Sequence, residues 1–195
     1  MNIDAEARAI LDFWFGPPGS AGHGQNRAEW FRKSDAFDAE IAHRFGIVIE
    51  RALHGELLGW DAHPESALAR ILVLDQFTRN TLRGSARAFA GDALALEAAQ
   101  ALLAAGHHAS LLPVERMFAC LPFEHAESLT MQDESMRLFQ RLAADAPELD
   151  TLVEFARRHR EIIVRFGRFP HRNAALGRAS TAEELAFLQE PGSGF

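Results

Sequence analysis

Apolar residues recur every three to four positions along most of this chain, and that spacing is typical of amphipathic helices. Alanine and leucine are abundant, and β-branched residues nowhere alternate with polar ones over the length of a strand. The pattern therefore predicts an all-α fold. We expect about eight helices in antiparallel pairs, because the links between them are short.

Helix-breaking and capping residues set the predicted bounds. Gly16-Pro17 ends a first helix, Ser34 caps the second and Pro64 starts the third. A capping box of Ser180 and Glu183 starts the last. The predicted helices cover 3–15, 34–53, 64–78, 85–105, 113 to just before Pro122, 124–143, 147–167 and 180–189. No linker divides the chain, so we expect one domain over 1–195.

The overall composition and charge argue against several classes of protein. The 195 residues carry a net charge of −7, which argues against general affinity for nucleic acid or anionic lipid. The N-terminus is acidic, unlike a secretory signal, and no apolar run reaches the length of a membrane span. The single cysteine, Cys120, is expected in the core and suits a reducing compartment. We therefore expect a soluble cytoplasmic protein with no membrane or nucleic-acid partner and with its oligomeric state open.

The first candidate for chemistry is the segment 74–80, Leu-Asp-Gln-Phe-Thr-Arg-Asn. Asp75 and Arg79 are spaced to pair on a helix, with Leu68 and Leu72 below them on the same face. Two interpretations stay open. The pair is either an ion pair that ends a helix at the edge of the core, or part of a binding site together with Asn80.

The second candidate comprises Glu115-Arg116 and the segment 124–127, Glu-His-Ala-Glu. Placed after Pro122, the two glutamates of that segment would suit the first turn of a helix, where the helix dipole favours acids. His125 would share a face with Leu129 and Gln132 and so point inward. It is a candidate proton carrier, metal ligand or hydrogen-bonded core histidine.

The third candidate is the segment 157–178, which holds seven arginines and one acid. His159 falls on the core-facing stripe of the predicted helix, Arg165 is spaced to pair with Glu161, and Arg168 to Arg172 lie where the helix must end. Phenylalanine and isoleucine interleave the charges, so this is not a solvated face. Some guanidinium groups should lie near the core and need carboxylates or an anionic ligand.

Three interpretations of the arginines compete. They form a structural network with Asp75, Glu115, Glu124 and Glu127, or a pocket for a small anion such as a phosphate or carboxylate, or a nucleic-acid surface. The net charge and the apolar interleaving disfavour the third. No glycine-rich phosphate loop is present, and Glu40 with His43 is a single copy of a di-iron spacing that needs two. We predict neither metal nor cofactor.

Several of these motifs together resemble a bacterial family of unknown function, domain-of-unknown-function family 924. The resemblance covers essentially the whole chain and implies a tetratricopeptide-like helical fold with no established activity. Two positions depart from the family pattern: Thr78 stands where proline is usual, and Ala126 where serine is usual. The matching segments are 11–16, 74–80, Glu115-Arg116, 121–127, 165–173 and 176–181.

Two functional hypotheses follow. The first is a protein, enzyme or not, that binds a small anionic ligand in an interhelical pocket. Its acid–base candidates are His125, Glu127, His159 and His171, and its ligand-binding candidates are Asp75, Arg79, Asn80, Arg116, Glu124, Arg165, Arg168, Arg172 and Asn173. The second is a helical scaffold that binds a protein partner, in which these charged groups only stabilise the fold.

Overall fold

The computed structural model describes residues 3–194, and every regular element in that part of the chain is helical. Its eight α-helices are α1 (Ala5–Phe15), α2 (Asp35–Leu53), α3 (starting as Pro64–Leu72), α4 (Asp92–Ala104), α5 (Pro113–His125), α6 (Leu129–Asp145), α7 (Thr151–Phe166) and α8 (Ala182–Phe187). The predicted all-α class with about eight helices is confirmed. The tetratricopeptide-like arrangement and the single domain stay predictions, and the predicted span 1–195 includes residues 1, 2 and 195, which lie outside the described range.

Short 3-10 turns join the helices and place several aromatic and charged side chains. They are Ala28–Phe31, Leu58–Ala62, Ala86–Phe89, His107–Ser110, Pro147–Leu149 and Pro170–Arg172. None of the described helices is long and apolar enough to cross a membrane.

Helix α3 changes its winding partway along. After Pro64–Leu72 the backbone forms a π-helical segment, Val73–Phe77, and then an α-helical turn, Thr78–Thr81, with which α3 ends. The predicted end near residue 78 is therefore three residues short. All five residues of the π-helical segment are buried. A π-helical turn is rare and often marks a functional site.

The predicted start of the helix 85–105 is wrong, because the chain forms the 3-10 turn Ala86–Phe89 and starts α4 only at Asp92; the helix ends at Ala104, within one residue of the prediction. Gly91 lies between the two and packs against the π-helical segment. A Cβ atom at Gly91 would lie 2.2 Å from the carbonyl oxygen of Leu74. Only glycine allows this approach, which brings the start of α4 onto α3.

The prediction that a helix ends before Pro122 and another starts at Glu124 is also wrong. Helix α5 continues through Pro122 to His125, and α6 starts at Leu129. A proline removes one helical hydrogen bond, and α5 tolerates this loss because only its last turn follows. Glu124 and His125 therefore end α5, and the face predicted for His125 with Leu129 and Gln132 does not exist.

The predicted start of α7 at Pro147 is wrong, because Pro147–Leu149 form a 3-10 turn and α7 starts at Thr151. Caps explain the differences at the starts of α1 and α8. Asp4 accepts hydrogen bonds from the backbone of Glu6 and Ala7, so α1 starts at Ala5 and not at residue 3. The last capping box is Thr181 with Glu184, one residue later than predicted, and it starts α8 at Ala182. Gly167 ends α7 close to the predicted position, with a φ of 69° that favours glycine.

One large apolar core joins α1 to α7, and a smaller cluster lies beneath the C-terminal turn. Aromatic rings fill the N-terminal part of the large core: Trp14 contacts Trp30, Phe37, Phe77 and Phe118. Cys120 is buried there, as expected. The smaller cluster consists of Ile162, Ile163 and Phe169, with Phe166 and Phe187 packed against it. Polar groups collect where these two clusters meet.

Candidate functional site

A cavity of about 640 Å³ opens among α3, α5, α6 and α7. We call its apolar, mostly aromatic lining residues the apolar wall and its polar lining residues the polar wall; exposed cations lie near the rim, and Phe89 of the apolar wall lies against Arg79 and Arg172 of the polar wall. The apolar wall comprises Trp30, Phe31, Phe89, Leu121, Phe139, Leu152 and Phe155. The polar wall comprises Gln76, Arg79, Asn80, Glu124, His125, His159, His171 and Arg172, and the rim carries Arg32, Lys33 and Arg83.

The π-helical segment supplies a buried carboxylate behind the polar wall. Asp75 is almost fully buried, and its Oδ1 lies 2.6 Å from Nδ1 of His125. Its other oxygen accepts a hydrogen bond from Gln76, and Arg79 lies 3.1 Å from Oδ1. Burial favours the neutral carboxyl, but Arg79 and His125 outweigh it and hold the pKa of Asp75 well below its usual range. Asp75 is thus an anion that fixes His125.

Two arginines of the polar wall share one carboxylate. Arg79 donates to both oxygens of Asp92 at 2.8 and 3.0 Å, and Arg172 donates to Asp92 Oδ2 at 3.0 Å. The Arg172 guanidinium lies 4.5 Å from the ring centre of Phe169 and 4.8 Å from that of Phe89. We call Asp75, Arg79, Asp92, His125 and Arg172 the cavity cluster. Its arginines line the cavity, and its two aspartates do not.

Arg172 is only partly satisfied by the residues around it. Burial, together with the neighbouring Arg79, lowers its pKa to about 10, so it is still a cation at neutral pH. Its buried Nε has no hydrogen-bond partner among the described residues. An unmet buried donor costs about 1–3 kcal/mol. Arg172 is therefore less fully paired than Arg79, which donates to both oxygens of Asp92 and to the backbone carbonyl of Asp75.

A second carboxylate–histidine pair lies beside the first. Oε1 of Glu124 lies 3.2 Å from Nδ1 of His159, which also lies 2.9 Å from the carbonyl oxygen of Phe155. Glu124 is buried, and its Oε2 has no hydrogen-bond partner among the described residues. Burial, and then the charge of Asp75, raise the pKa of Glu124 to about 8. Glu124 is therefore a protonated acid at neutral pH, whereas Asp75 is ionised.

The three histidines of the polar wall are neutral bases at pH 7. Burial, and then Arg79, lower the pKa of His125 below its usual 6.5 despite the opposing effect of Asp75. Burial and His125 lower the pKa of His159 to about 3, and burial and Arg172 lower that of His171 to about 4. Carbonyl and ionised carboxylate oxygens only accept hydrogen bonds, which places the proton of His125 and of His159 on Nδ1.

The structure brings seven of the residues proposed from the sequence to the cavity wall. These are Arg79, Asn80, Glu124, His125, His159, His171 and Arg172, with Asp75 directly behind them. Asn80 donates to Asp38, which also pairs with Arg83 of the rim. The three candidate segments of the sequence therefore do meet at one place.

Other proposed residues form a separate cluster on the far side of Phe169. Glu127 accepts two hydrogen bonds from Arg178, at 2.6 and 2.9 Å, and one from the backbone N–H of Phe169. Glu184 accepts two from Arg168, at 2.6 and 2.8 Å, and one from Asn173. We call Glu127, Arg168, Asn173, Arg178 and Glu184 the C-terminal lock. None of them lines the cavity.

Two further candidates lie at the surface, away from the cavity. Arg116 pairs with Asp145 at 2.8 Å. Arg165 pairs with Glu183 at 2.9 Å, and Glu161 instead pairs with Arg157, so the predicted pair of Arg165 and Glu161 is wrong. Glu115, which was expected in a network with these arginines, accepts a hydrogen bond from the backbone of Leu112 at the start of α5.

Several residues in the cavity wall or directly behind it carry no signal in the sequence. Asp92 follows Gly91 in a segment predicted to be helical throughout, and only the close packing against Leu74 shows why it reaches the arginines. Phe89 and Phe155 look like ordinary helix residues. Among the described residues, no three histidine, cysteine or carboxylate side chains are grouped as metal ligands would be.

Comparison with known proteins identifies relatives but no activity. A family model described as a bacterial protein of unknown function, DUF924, matches residues 10–192. A solved structure of a protein of unknown function from Agrobacterium tumefaciens superposes with a TM-score of 0.84 at 38% sequence identity, and the match covers 95% of this chain and 97% of that one. No curated protein matches.

Proposed function

Because the chain belongs to the bacterial family of unknown function DUF924, we propose a function from the cavity itself: the protein binds a small organic anion that also has an apolar part. The observation that carries this proposal is that one cavity is lined both by the cations Arg79 and Arg172 and by a set of aromatic and aliphatic side chains. A carboxylate or phosphate suits the arginines, whose planar donors match both groups.

The size and the polarity of the cavity agree with such a ligand. Pockets for small organic molecules usually measure about 300–1,000 Å³ and combine apolar walls with a few polar groups. The cavity measures about 640 Å³. The aspartates that balance Arg79 and Arg172 lie behind them, so an arriving anion meets the cations first. The exposed Arg32 and Lys33 near the rim add to this attraction.

A protein scaffold is the alternative to a small-molecule binder, and the exposed apolar residues bear on it. Phe31 and Phe155 are 60% and 47% exposed. Both also line the cavity, so they widen its apolar wall toward solvent. This position favours an apolar ligand segment at the entrance over a broad groove for a protein.

Binding is tested by thermal shift and calorimetry with four simple probes: inorganic phosphate, acetate, hexanoate and phenyl phosphate. Ligand binding to the folded state raises the melting temperature by mass action. We expect hexanoate and phenyl phosphate to bind more tightly than acetate and inorganic phosphate, because they fill the apolar wall.

The control variant is Arg137→Gln, at an exposed arginine of α6 that does not line the cavity. It should bind every probe as the wild type does, and Arg172→Gln should bind the anions less tightly. If no probe shifts the melting temperature, or if Arg172→Gln binds all of them unchanged, the protein is not an anion binder at this cavity.

A further inference from the structure

The polar wall contains a base, His125, and an acid, Glu124, at consecutive positions of α5. His125 donates its Nδ1 proton to Asp75, which leaves Nε2 as its basic nitrogen. Glu124, the preceding residue, is buried with one oxygen unpartnered among the described residues. Neighbouring groups whose environments push their proton affinities apart are typical of acid–base catalysis.

The orientation of His125 is built into the fold. Asp75 lies in the π-helical segment, is almost fully buried, and is held by Gln76 and Arg79. The distance of 2.6 Å between Asp75 Oδ1 and His125 Nδ1 is short for a hydrogen bond and fixes the ring. A histidine that served only the core would not need an ionised partner supplied by an irregular helix.

The cavity wall has no hydroxyl or thiol nucleophile. Serine, threonine and cysteine are absent from the described lining residues, and the whole chain lacks tyrosine. Covalent catalysis by such a group therefore does not fit the site. Proton transfer does fit, because it needs only a base, an acid and a fixed substrate.

We propose that this cavity catalyses proton transfer at a carbon next to a carbonyl group, in a substrate that also carries a carboxylate or phosphate. His125 is the general base, Glu124 is the general acid, and Asp75 is a positioning residue that acts through His125. Arg79 and Arg172 hold the anionic group. The inference rests on the proposed function, because the substrate is one of the organic anions that the cavity binds.

The step is balanced without any further reactant. Nε2 of His125 takes a proton from the carbon, and the electron pair of that C–H bond forms the C=C bond of an enol. The electron pair of the C=O bond moves to oxygen, which takes the proton of Glu124. The reverse transfers return a proton to the same carbon and restore both residues. The net reaction is hydrogen exchange at that carbon.

The charged groups around His125 set the expected pH dependence. Asp75 and Arg79 face it from α3, His159 from α7, and Arg172 from the turn Pro170–Arg172, while Glu124 is its neighbour on α5. Activity needs neutral His125 and protonated Glu124. The rate should therefore rise with pH below 6.5, where His125 loses its proton, and fall near pH 8, where Glu124 does.

The test is deuterium uptake from D2O into 2-oxohexanoate and phenylpyruvate, followed by NMR against the uncatalysed rate. Hexanoate and phenylacetate are the matched probes without the ketone. We expect uptake at the carbon beside the ketone and none into the matched probes. His125→Gln should lower the enzymatic rate at least about 100-fold, and Glu124→Gln at least about tenfold.

Two control variants match these substitutions. His43→Gln and Glu97→Gln replace exposed residues of α2 and α4 and should exchange at the wild-type rate. Binding of 2-oxohexanoate, measured separately by calorimetry, distinguishes the two proposals. Binding without deuterium uptake would overturn the catalytic proposal and leave the binding function standing. Hydrolysis of phenyl phosphate without uptake by the oxo acids would overturn it as well, and a lack of binding would overturn both.

Asp75→Asn tests the positioning role through the pH profile of the rate, which would not shift if Asp75 were only structural. The Asp75 carboxylate raises the proton affinity of His125, so its removal should shift the acidic limb of the rate profile to lower pH and reduce the maximum rate. An unchanged limb in a folded Asp75→Asn protein would contradict the positioning role. If His125→Gln does not fold, the acidic limb of the wild-type profile decides: a limb at or above pH 7 overturns the role of His125.

Discussion

The segment around the turn Pro170–Arg172 contributes arginines to two clusters that use the same chemistry differently. In the C-terminal lock, Arg168 and Arg178 each have their own carboxylate and bind both of its oxygens. In the cavity cluster, Arg79 and Arg172 share Asp92. In the lock every arginine is matched to a carboxylate, whereas the cavity cluster leaves the Nε of Arg172 without a partner among the described residues and lines an open cavity.

The difference teaches that an arginine-rich segment does not have one role. The lock joins α8 and the residues after α7 to Glu127, and its paired charges explain why that end of the chain holds together. The cavity cluster puts its cations on the cavity wall, against aromatic rings. Stability should therefore depend more on the lock, and ligand binding on the cavity cluster.

The largest effect on stability is expected at Gly91, which packs against α3 behind the cavity cluster. Gly91→Ala places a Cβ atom against the backbone of Leu74, which has no flexible end to move away. We expect a loss of at least about 3 kcal/mol in the free energy of unfolding, or displacement of Asp92 from both arginines. Chemical denaturation measures it.

Gly46→Ala is the matched control for this substitution. Gly46 lies within α2, and a Cβ atom there meets nothing within 4 Å. Alanine favours a helix over glycine by about 1 kcal/mol, so this variant should be as stable as the wild type or slightly more stable. Equal stability of the two variants would show that the contact with Leu74 does not matter.

The second largest effect is a pH dependence of the free energy of unfolding that Glu124 causes. The folded protein raises the pKa of Glu124 from 4.5 to about 8, so its contribution to stability is fully present below pH 4.5 and is lost as the pH rises toward 8. Glu124→Gln cannot ionise. Its free energy of unfolding relative to that of the wild type should therefore rise by about 2.5 kcal/mol between pH 5 and pH 7, since each pH unit corresponds to about 1.4 kcal/mol.

The measurement is the free energy of unfolding of both proteins across that pH range. Glu97→Gln, at an exposed glutamate of α4, should stay parallel to the wild type. A constant difference between Glu124→Gln and the wild type would mean that Glu124 is ionised in the folded protein and is not an acid at neutral pH.

The next largest effect on stability is expected in the C-terminal lock. Glu127→Ala removes the partner of Arg178 and of the backbone N–H of Phe169, and we expect it to lower the free energy of unfolding by about 2 kcal/mol. Affinity for phenyl phosphate should not change. Calorimetry on the folded variant checks this, and a loss of affinity with no loss of stability would reverse the roles assigned to the two clusters.

The smallest effect on stability, and a selective one on binding, is expected for Arg172→Gln. The variant loses a buried charge with an unmet donor, while Asp92 keeps Arg79. We expect a melting temperature near that of the wild type and about tenfold weaker binding of phenyl phosphate, which corresponds to about 1.4 kcal/mol. A clear loss of stability in this variant with an unchanged affinity for phenyl phosphate would mean that Arg172 has the structural role assigned to the C-terminal lock.

Most of the fold was predictable because helix periodicity and end signals are local. The helical class, the end of the first helix before Gly16, the start at Pro64 and the end at Gly167 all follow from neighbouring residues. The errors arise where distant contacts decide. Pro122 is held in the last turn of α5, and Gly91 breaks a helix because Leu74 lies against it.

The candidate site was predictable as a set of residues but not as an arrangement. Charged groups interleaved with apolar ones had to be buried, and so Asp75, Glu124 and Arg172 were identifiable. Which carboxylate each arginine meets depends on contacts between residues far apart in the chain, such as Arg172 with Asp92 and Arg178 with Glu127. No local pattern separates the lock from the cavity cluster.

The π-helical segment of α3 decides which side chains of that helix reach the candidate site. One residue advances an α-helix by about 100° and 1.5 Å, so the two halves of α3 differ in phase by roughly that step. Loss of one residue within Val73–Phe77 would restore regular winding and rotate either Asp75 away from His125 or Arg79 away from Asp92. In an alignment of relatives, a gap of one position here would therefore indicate a different site and not just a shorter helix.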